Sequence, residues 1–357
     1  MSRFFSENYQ TLIPYTPGEQ PQNRKYLKLN TNESPFPPSP VAQRLAREAA
    51  GELQLYSDPE VKALAGVFAE KTGFSENEVV FVNGSDEILN FCIMAFCDKN
   101  HTLCYPDITY SFYDVVANLN HIPVEKKPLR SDFTINVNDY IGIGKNIFIA
   151  NPNAPTGIAL PVSEIEKIVK SNPDNVIVVD EAYVDFGTES ALPLIRKYDN
   201  LIVCQTFSKS RSLAGARLGF GAGNPELIKD INTIRFSTNP YNINRMTMWA
   251  GIGALSDPDY FRENCQKIME VREWTAKELR KLGFSMTDSK ANFLFAKYEG
   301  ISGMDFYLTL KEKGVLVRHF ETPLLRDYNR ITVGSREQME TFVEIAKEVI
   351  RELEEKK

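Results

Sequence analysis

The sequence predicts an α/β fold: a large domain with a mostly parallel sheet flanked by helices, joined to a smaller α+β domain. Three observations carry that prediction. From Val79 to Cys204, short apolar runs rich in β-favouring residues alternate with amphipathic helical stretches, the pattern of parallel strands joined by crossover helices. From Phe284 onward the alternation gives way to short strand-like runs set around helices. At 357 residues the chain also exceeds the usual single-domain size. The expected division is an arm at 1–39 that contributes to the small domain, a large domain at 40–260 and the remainder of the small domain at 261–357.

Composition narrows the class. Hydrophobic residues at 43% and charged residues at 25% fit a globular chain and argue against disordered, collagenous and membrane-embedded classes. The net charge of −6 and the lack of long basic runs leave no footprint for nucleic acid or anionic lipid. Five cysteines, an odd number with no CxxC, read as reduced core thiols in a reducing compartment. The start, MSRFFSENYQ, has no apolar leader and no window reaches the ~18 apolar residues of a membrane span, so the expected location is the cytoplasm. His101, His121 and His319 lie far apart, which argues against a histidine metal site.

Taken in order, Pro14, Pro17, Pro21, Pro35, Pro37 and Pro38 forbid a long helix and predict an extended arm. Within it, PYTPG and KLNTNESP put Tyr15 and Asn32 in irregular backbone, where polar side chains are free to reach a ligand. Residues 40–50 and 60–72 read as amphipathic helices, with Tyr56 in the joint between them. A strand at Val79–Val82 then runs through Asn83–Ser85 into a helix from Asp86. A Gly-Ser turn feeding a helix start is a physical anion site, although a plain cap by Ser85 or Asp86 has the same appearance. The strand TLCYP precedes a helix that opens with Tyr110 and Tyr113.

Strands follow at Asn146–Ala150, Asn175–Asp180 and Leu201–Cys204, with a helix over Ser163–Lys170. In such a sheet ligands are expected at the carboxyl ends of the strands, and every polar loop noted above falls at that edge. The segment NPNAPTG, with Asn153, leaves the first of these strands; Asp180 closes the second, where a buried acid needs a cationic partner. The third delivers Thr206, Ser208 and Lys209 into a loop followed by Arg217, an arrangement that suits an imine with a carbonyl cofactor beside phosphate-binding groups and equally suits a solvated lysine beside a serine-rich turn. Residues 241–281 read as helices. In the last part, VLVRHF and NRITVG present Arg318 and Arg330, whose forked guanidinium groups suit carboxylate or phosphate.

The motifs PYTPG, LNTNESP, YSDP, GSDE, TYSFY, NAPTG, DEAYVDF, TFSKSRSLAGARLG, VRHF and NRITVGSRE occur in an order that resembles the histidinol-phosphate aminotransferases, which depend on pyridoxal 5'-phosphate (PLP) and have fold type I. The resemblance spans nearly the whole chain. It implies that Lys209 is the Schiff-base lysine and proton shuttle, that Asp180 pairs with the pyridine nitrogen, and that Tyr183 bonds the ring hydroxyl. It further implies that Tyr110 stacks on the ring and that Ser85, Asp86, Thr206, Ser208 and Arg217 bind the phosphate. Tyr56 would reach that phosphate from the other subunit of a homodimer, while Arg318, Arg330, Tyr15 and Asn32 would hold the substrate. The implied reaction is ping-pong transfer between histidinol phosphate and 2-oxoglutarate. Ala154 departs from the family's NNPTG, leaving either Asn153 or Tyr183 alone to contact the ring hydroxyl. Related readings are an aromatic amino acid aminotransferase, an enzyme like threonine-phosphate decarboxylase, or a catalytically silent PLP-binding protein. A nicotinamide enzyme fits less well, because the glycines of GARLGFGAG come late and do not form GxGxxG after a first strand.

Overall fold

The computed structural model describes residues 2–356. The arm contributes β1 (Leu27–Lys28), and the large sheet and its helices follow: α1 (Pro40–Ala49), α2 (Lys62–Thr72), β2 (Val79–Val82), α3 (Ser85–Phe96), β3 (Leu103–Pro106), α4 (Phe112–Leu119), β4 (Val124–Lys127), β5 (Asn146–Ala150), α5 (Val162–Ser171), β6 (Ile177–Asp180), β7 (Leu201–Thr206) and β8 (Gly219–Gly223). Helices α6 (Pro225–Thr238), α7 (Arg245–Leu255) and the long α8 (Pro258–Lys281) lead to β9 (Phe284–Met286), β10 (Phe293–Tyr298), α9 (Gly303–Glu312), β11 (Val315–Leu316), β12 (Arg318–His319), β13 (Asn329–Thr332) and α10 (Arg336–Glu355).

The seven-stranded sheet has the order β2-β8-β7-β6-β5-β3-β4, and only β8 runs against its neighbours. The period of two along each strand sends alternate side chains to opposite faces. Phe148, Val178 and Ile202 pack with Ile88, Val116 and Ile228 on one face, whereas Ile149, Val179 and Val203 pack with Phe68, Ile168 and Met248 on the other. The smaller sheet is antiparallel, β12-β13-β10-β9, and its core joins α8, α9 and α10. Strand β1 pairs with β11, so the arm is tied to this part of the chain.

Most expected elements are present. Strands β4 and β8 and helix α6 go beyond what the sequence pattern predicts. β8 is a run of glycine and small residues, and a Cβ on Gly221 would come 2.7 Å from Ile88 Cδ1, so α3 lies against it closely enough to require glycine. β4, with the sequence VEKK, is a partly exposed edge strand and lacks an apolar run. Among the described residues all five cysteines are free, and no helix is long and apolar enough to cross a membrane.

Candidate active site

The carboxyl ends of β2, β3, β6 and β7 meet the arm and β12–β13 around a cavity of about 500 Å³. All the side chains anticipated from sequence line it except Asn153 and Tyr56.

Lys209 leaves the end of β7 in a loop that is fixed on three sides. Ser208 N donates to Thr206 Oγ1 (3.1 Å), Ser210 Oγ donates to Asp185 Oδ2 (2.5 Å), and Ser212 Oγ donates to Ser34 Oγ on the arm (2.9 Å). Lys209 Nζ donates to the Thr31 carbonyl at 3.2 Å. Burial, reinforced by the positive charge of Arg330, lowers the amine to about 8.

Asp180 closes β6 and is 4% exposed. Its Oδ2 accepts from the Tyr113 hydroxyl at 2.9 Å and its Oδ1 from Ala182 N–H at 3.2 Å. Burial raises the carboxyl to about 6 in spite of these bonds. Tyr113, in the first turn of α4, is the partner that sequence reasoning missed; Tyr110 lies in the loop just before that helix, with its ring edge-on to Tyr113 at 5.7 Å.

At the start of α3, Gly84 has φ +78°, and a Cβ there would strike the Arg217 guanidinium. Arg217 Nη2 donates to Asp86 Oδ2 (3.1 Å), and the Tyr110 hydroxyl donates to Asp86 Oδ1 (2.9 Å). The Asp86 carboxylate therefore holds Arg217 and Tyr110 in place.

Across the cavity, Arg318 and Arg330 are direct partners in the β12–β13 register. Like charges placed opposite one another are unfavourable without an anion. Arg318 donates to the carbonyls of Pro17 (3.2 Å) and Thr16 (3.1 Å), and Arg330 donates to that of Asn30 (3.2 Å). Arg330 Nε is buried with no hydrogen-bond partner. Tyr15 lies edge-on to Tyr110, with ring centroids 6.1 Å apart.

One expectation differs in placement. Asn153 turns away from the cavity: Thr109 Oγ1 donates to its Oδ1 (2.8 Å), and its Nδ2 donates to the Ile108 carbonyl and Thr156 Oγ1 (3.0 Å each). The small Ala154 faces the cavity instead. Asn32 is at the cavity wall, and its Nδ2 donates to the Tyr183 hydroxyl at 2.9 Å. Tyr56 is 80% exposed, away from this cavity, and stacks on Tyr241 with centroids 4.6 Å apart.

The model of the family described as aminotransferase class I and II matches residues 24–345. This chain belongs to that family. A histidinol-phosphate aminotransferase of Brachyspira hyodysenteriae is 49% identical over 353 residues, which cover 98% of this chain and 100% of the relative. One of Clostridium botulinum is 44% identical over 354 residues, covering 99% and 100% respectively. The crystal structure of the Sinorhizobium meliloti histidinol-phosphate aminotransferase in complex with pyridoxal-5'-phosphate matches with a TM-score of 0.90 at 24% identity, over 99% of each chain. This aminotransferase is thus a PLP-dependent transaminase with the type I fold, and its kin are the histidinol-phosphate aminotransferases.

The residues present fit the cofactor. A buried acid with no cation bonded to it suits a protonated ring nitrogen, and an amine lowered to about 8 suits attachment to a carbonyl carbon. The start of α3 beside Arg217 suits a phosphate.

Proposed function

We propose that this aminotransferase moves an amino group between glutamate and imidazole-acetol phosphate, giving 2-oxoglutarate and histidinol phosphate, and that it works as a homodimer. The observation that carries the reading is one cavity that combines a single amine, Lys209, with two separate sets of anion-binding side chains. Ser85, Thr206, Ser208 and Arg217 suit the cofactor's phosphate; Arg318 and Arg330 suit a substrate that brings its own anion. Glutamate and the phosphate ester both do so. The full-length identity to histidinol-phosphate aminotransferases supports that choice of substrate.

When bound, PLP supplies a carbonyl carbon for attachment of an amine and a cationic ring that accepts the electron pair released at the substrate's α-carbon. Lys209 is the amine that holds the carbonyl carbon at rest, and its lowered basicity leaves a useful fraction neutral near pH 8. With a substrate in the cavity, Lys209 Nζ would be the base that takes and returns the α-proton. Asp180 would hold the proton on the ring nitrogen, and Tyr183 would donate to the ring's phenolate oxygen. Tyr110, fixed through Asp86, would cover one face of the ring. Arg318 and Arg330 grip the anionic end of the substrate, and Tyr15 closes the cavity from the arm. Leu53, Leu55, Tyr56 and Tyr241 are all exposed, and Tyr56 stacks on Tyr241, which supports a second subunit there with Tyr56 reaching the other cavity.

The test is a half-reaction. Protein loaded with PLP is followed through the yellow band of the bound cofactor while histidinol phosphate, glutamate, phenylalanine and threonine phosphate are added separately. Bleaching by histidinol phosphate and by glutamate is expected, with Lys209→Ala losing all borohydride-reducible attachment. A band that ignores histidinol phosphate refutes the substrate; reducible attachment in Lys209→Ala refutes the role of the lysine.

A further inference from the structure

Tyr183 carries a proton whose direction is set from behind by a buried hydrogen-bond chain that crosses the fold. Asn32 and Thr332 are 1% and 3% exposed. The backbone N–H of Asn32 donates to Thr332 Oγ1 (3.0 Å), and Thr332 Oγ1 donates to Asn32 Oδ1 (3.0 Å). Asn32 Nδ2 donates to the Tyr183 hydroxyl (2.9 Å), and Asn292 Nδ2 donates to the Asn32 carbonyl (3.0 Å). Asn32 has φ +55°, a backbone conformation that is uncommon outside glycine and recurs at functional sites.

The polarity of this chain follows from counting donors and acceptors. Because Thr332 Oγ1 already accepts from a backbone N–H, its own proton needs an acceptor. Asn32 Oδ1 is the one it has. Were the Asn32 amide turned over, Thr332 would face a second donor and its buried proton would be left unpaired, at a cost comparable to a lost hydrogen bond. With Oδ1 held by Thr332, Nδ2 must face Tyr183, so the tyrosine oxygen accepts on that side and its proton points away from Asn32, toward the cavity. We infer that Asn32 and Thr332 are positioning residues that fix Tyr183 as a hydrogen-bond donor into the cavity. This matters here because Ala154 and the turned-away Asn153 leave no amide at that place to share the task.

The inference rests on the proposed contact between Tyr183 and the cofactor's phenolate oxygen. A donor to that oxygen stabilises its negative charge and lowers the pH at which the bound cofactor loses its proton. The charged groups around Tyr183 are Arg330, Asp180 and Asp86, with Lys209 Nζ 5.9 Å from its ring centroid; none changes in the Thr332 variants. The experiment is a pH titration of the holoenzyme's absorbance, accompanied by the dissociation constant of PLP. Tyr183→Phe is expected to move the midpoint up by about one unit or more. Thr332→Val, which frees the amide to turn, moves it in the same direction, and Thr332→Ser, which keeps the hydroxyl, retains the wild-type midpoint. Asn32→Asp replaces the donor with an acceptor and gives the largest change after Tyr183→Phe, but it adds a charge, so the uncharged Thr332 pair decides and stands even where Asn32→Asp does not fold. If Tyr183→Phe moves the midpoint and Thr332→Val does not, the inference is overturned while the role of Tyr183 survives. A midpoint unmoved by Tyr183→Phe overturns the contact on which it rests.

Discussion

Glu181 follows Asp180 in the chain, and its substitution by Gln tests how burial sets the stability of this sheet edge. It is 1% exposed. Its Oε1 accepts from Ala191 N–H (2.6 Å), and its Oε2 accepts from Ser190 Oγ (2.5 Å) and Gln205 Nε2 (2.8 Å). No cation bonds it, and burial raises it from 4.5 to about 7. The folded state therefore keeps a proton between those values that the unfolded state gives up. The stability due to that proton is complete below pH 4.5, falls as the pH rises through the window, and is gone once the folded group has ionised near 7. Between pH 5 and pH 8 the loss comes to about 2.5 kcal/mol, at about 1.4 kcal/mol for each pH unit between the folded and unfolded values. Glu181→Gln is well placed to test this, because its Oε1 can accept from Ala191 while its amide donates to Ser190 and to the turned amide of Gln205. Urea unfolding of cofactor-free wild type and Glu181→Gln at pH 5 and pH 8 should show wild type losing about 2.5 kcal/mol more than the variant over that interval. Equal losses in the two proteins would refute the account.

Two further predictions concern the cavity. Tyr113→Phe removes a hydrogen bond to the ionised form of Asp180, so the carboxyl should rise further from its value of about 6. In the cofactor-free protein the titration of Asp180, followed by the infrared absorbance of its carboxyl, should then move up by about one unit; an unmoved titration would mean that Tyr113 merely fills space. If Tyr56 serves the cavity of the other subunit, then mixing inactive Lys209→Ala dimers with inactive Tyr56→Ala dimers should restore activity, since each hybrid carries one intact site. Random reassociation gives about one quarter of wild-type activity, and no recovery after subunit exchange shown by mass would mean that Tyr56 does not serve the cavity of the other subunit.

What the sequence made legible is what is local. An acid or an amine at the end of an apolar run announces itself, and Asp180 and Lys209 were readable for that reason, as was the order of strands that brings Ser85, Tyr110 and Thr206 to one edge. What it concealed depends on partners far along the chain. Gly219 and Gly221 of β8 are explained by the approach of α3, with Ser85 N 2.7 Å from a Cβ on Gly219, and no neighbouring residue signals that approach. Whether Asn153 or Tyr183 alone would meet the ring hydroxyl was open from the sequence, and Thr109 and the Ile108 carbonyl from the loop after β3 engage Asn153. Asn32 finds Thr332 across 300 positions of sequence.

The arginine pair shows most sharply how register makes a site. Arg318 and Arg330 are each ordinary as sequence, a cation near the start of a short β-like run. They become one anion grip because β12 and β13 pair antiparallel with those two residues as partners, on the same face of the sheet. A slip of one residue would turn Arg318 to the opposite face. That register is held by strands whose other side chains belong to the core: Ile331 is fully buried among Leu29, Leu294 and Phe342. The apolar packing that stabilises the small sheet is thereby also what aims its two cations at the cavity.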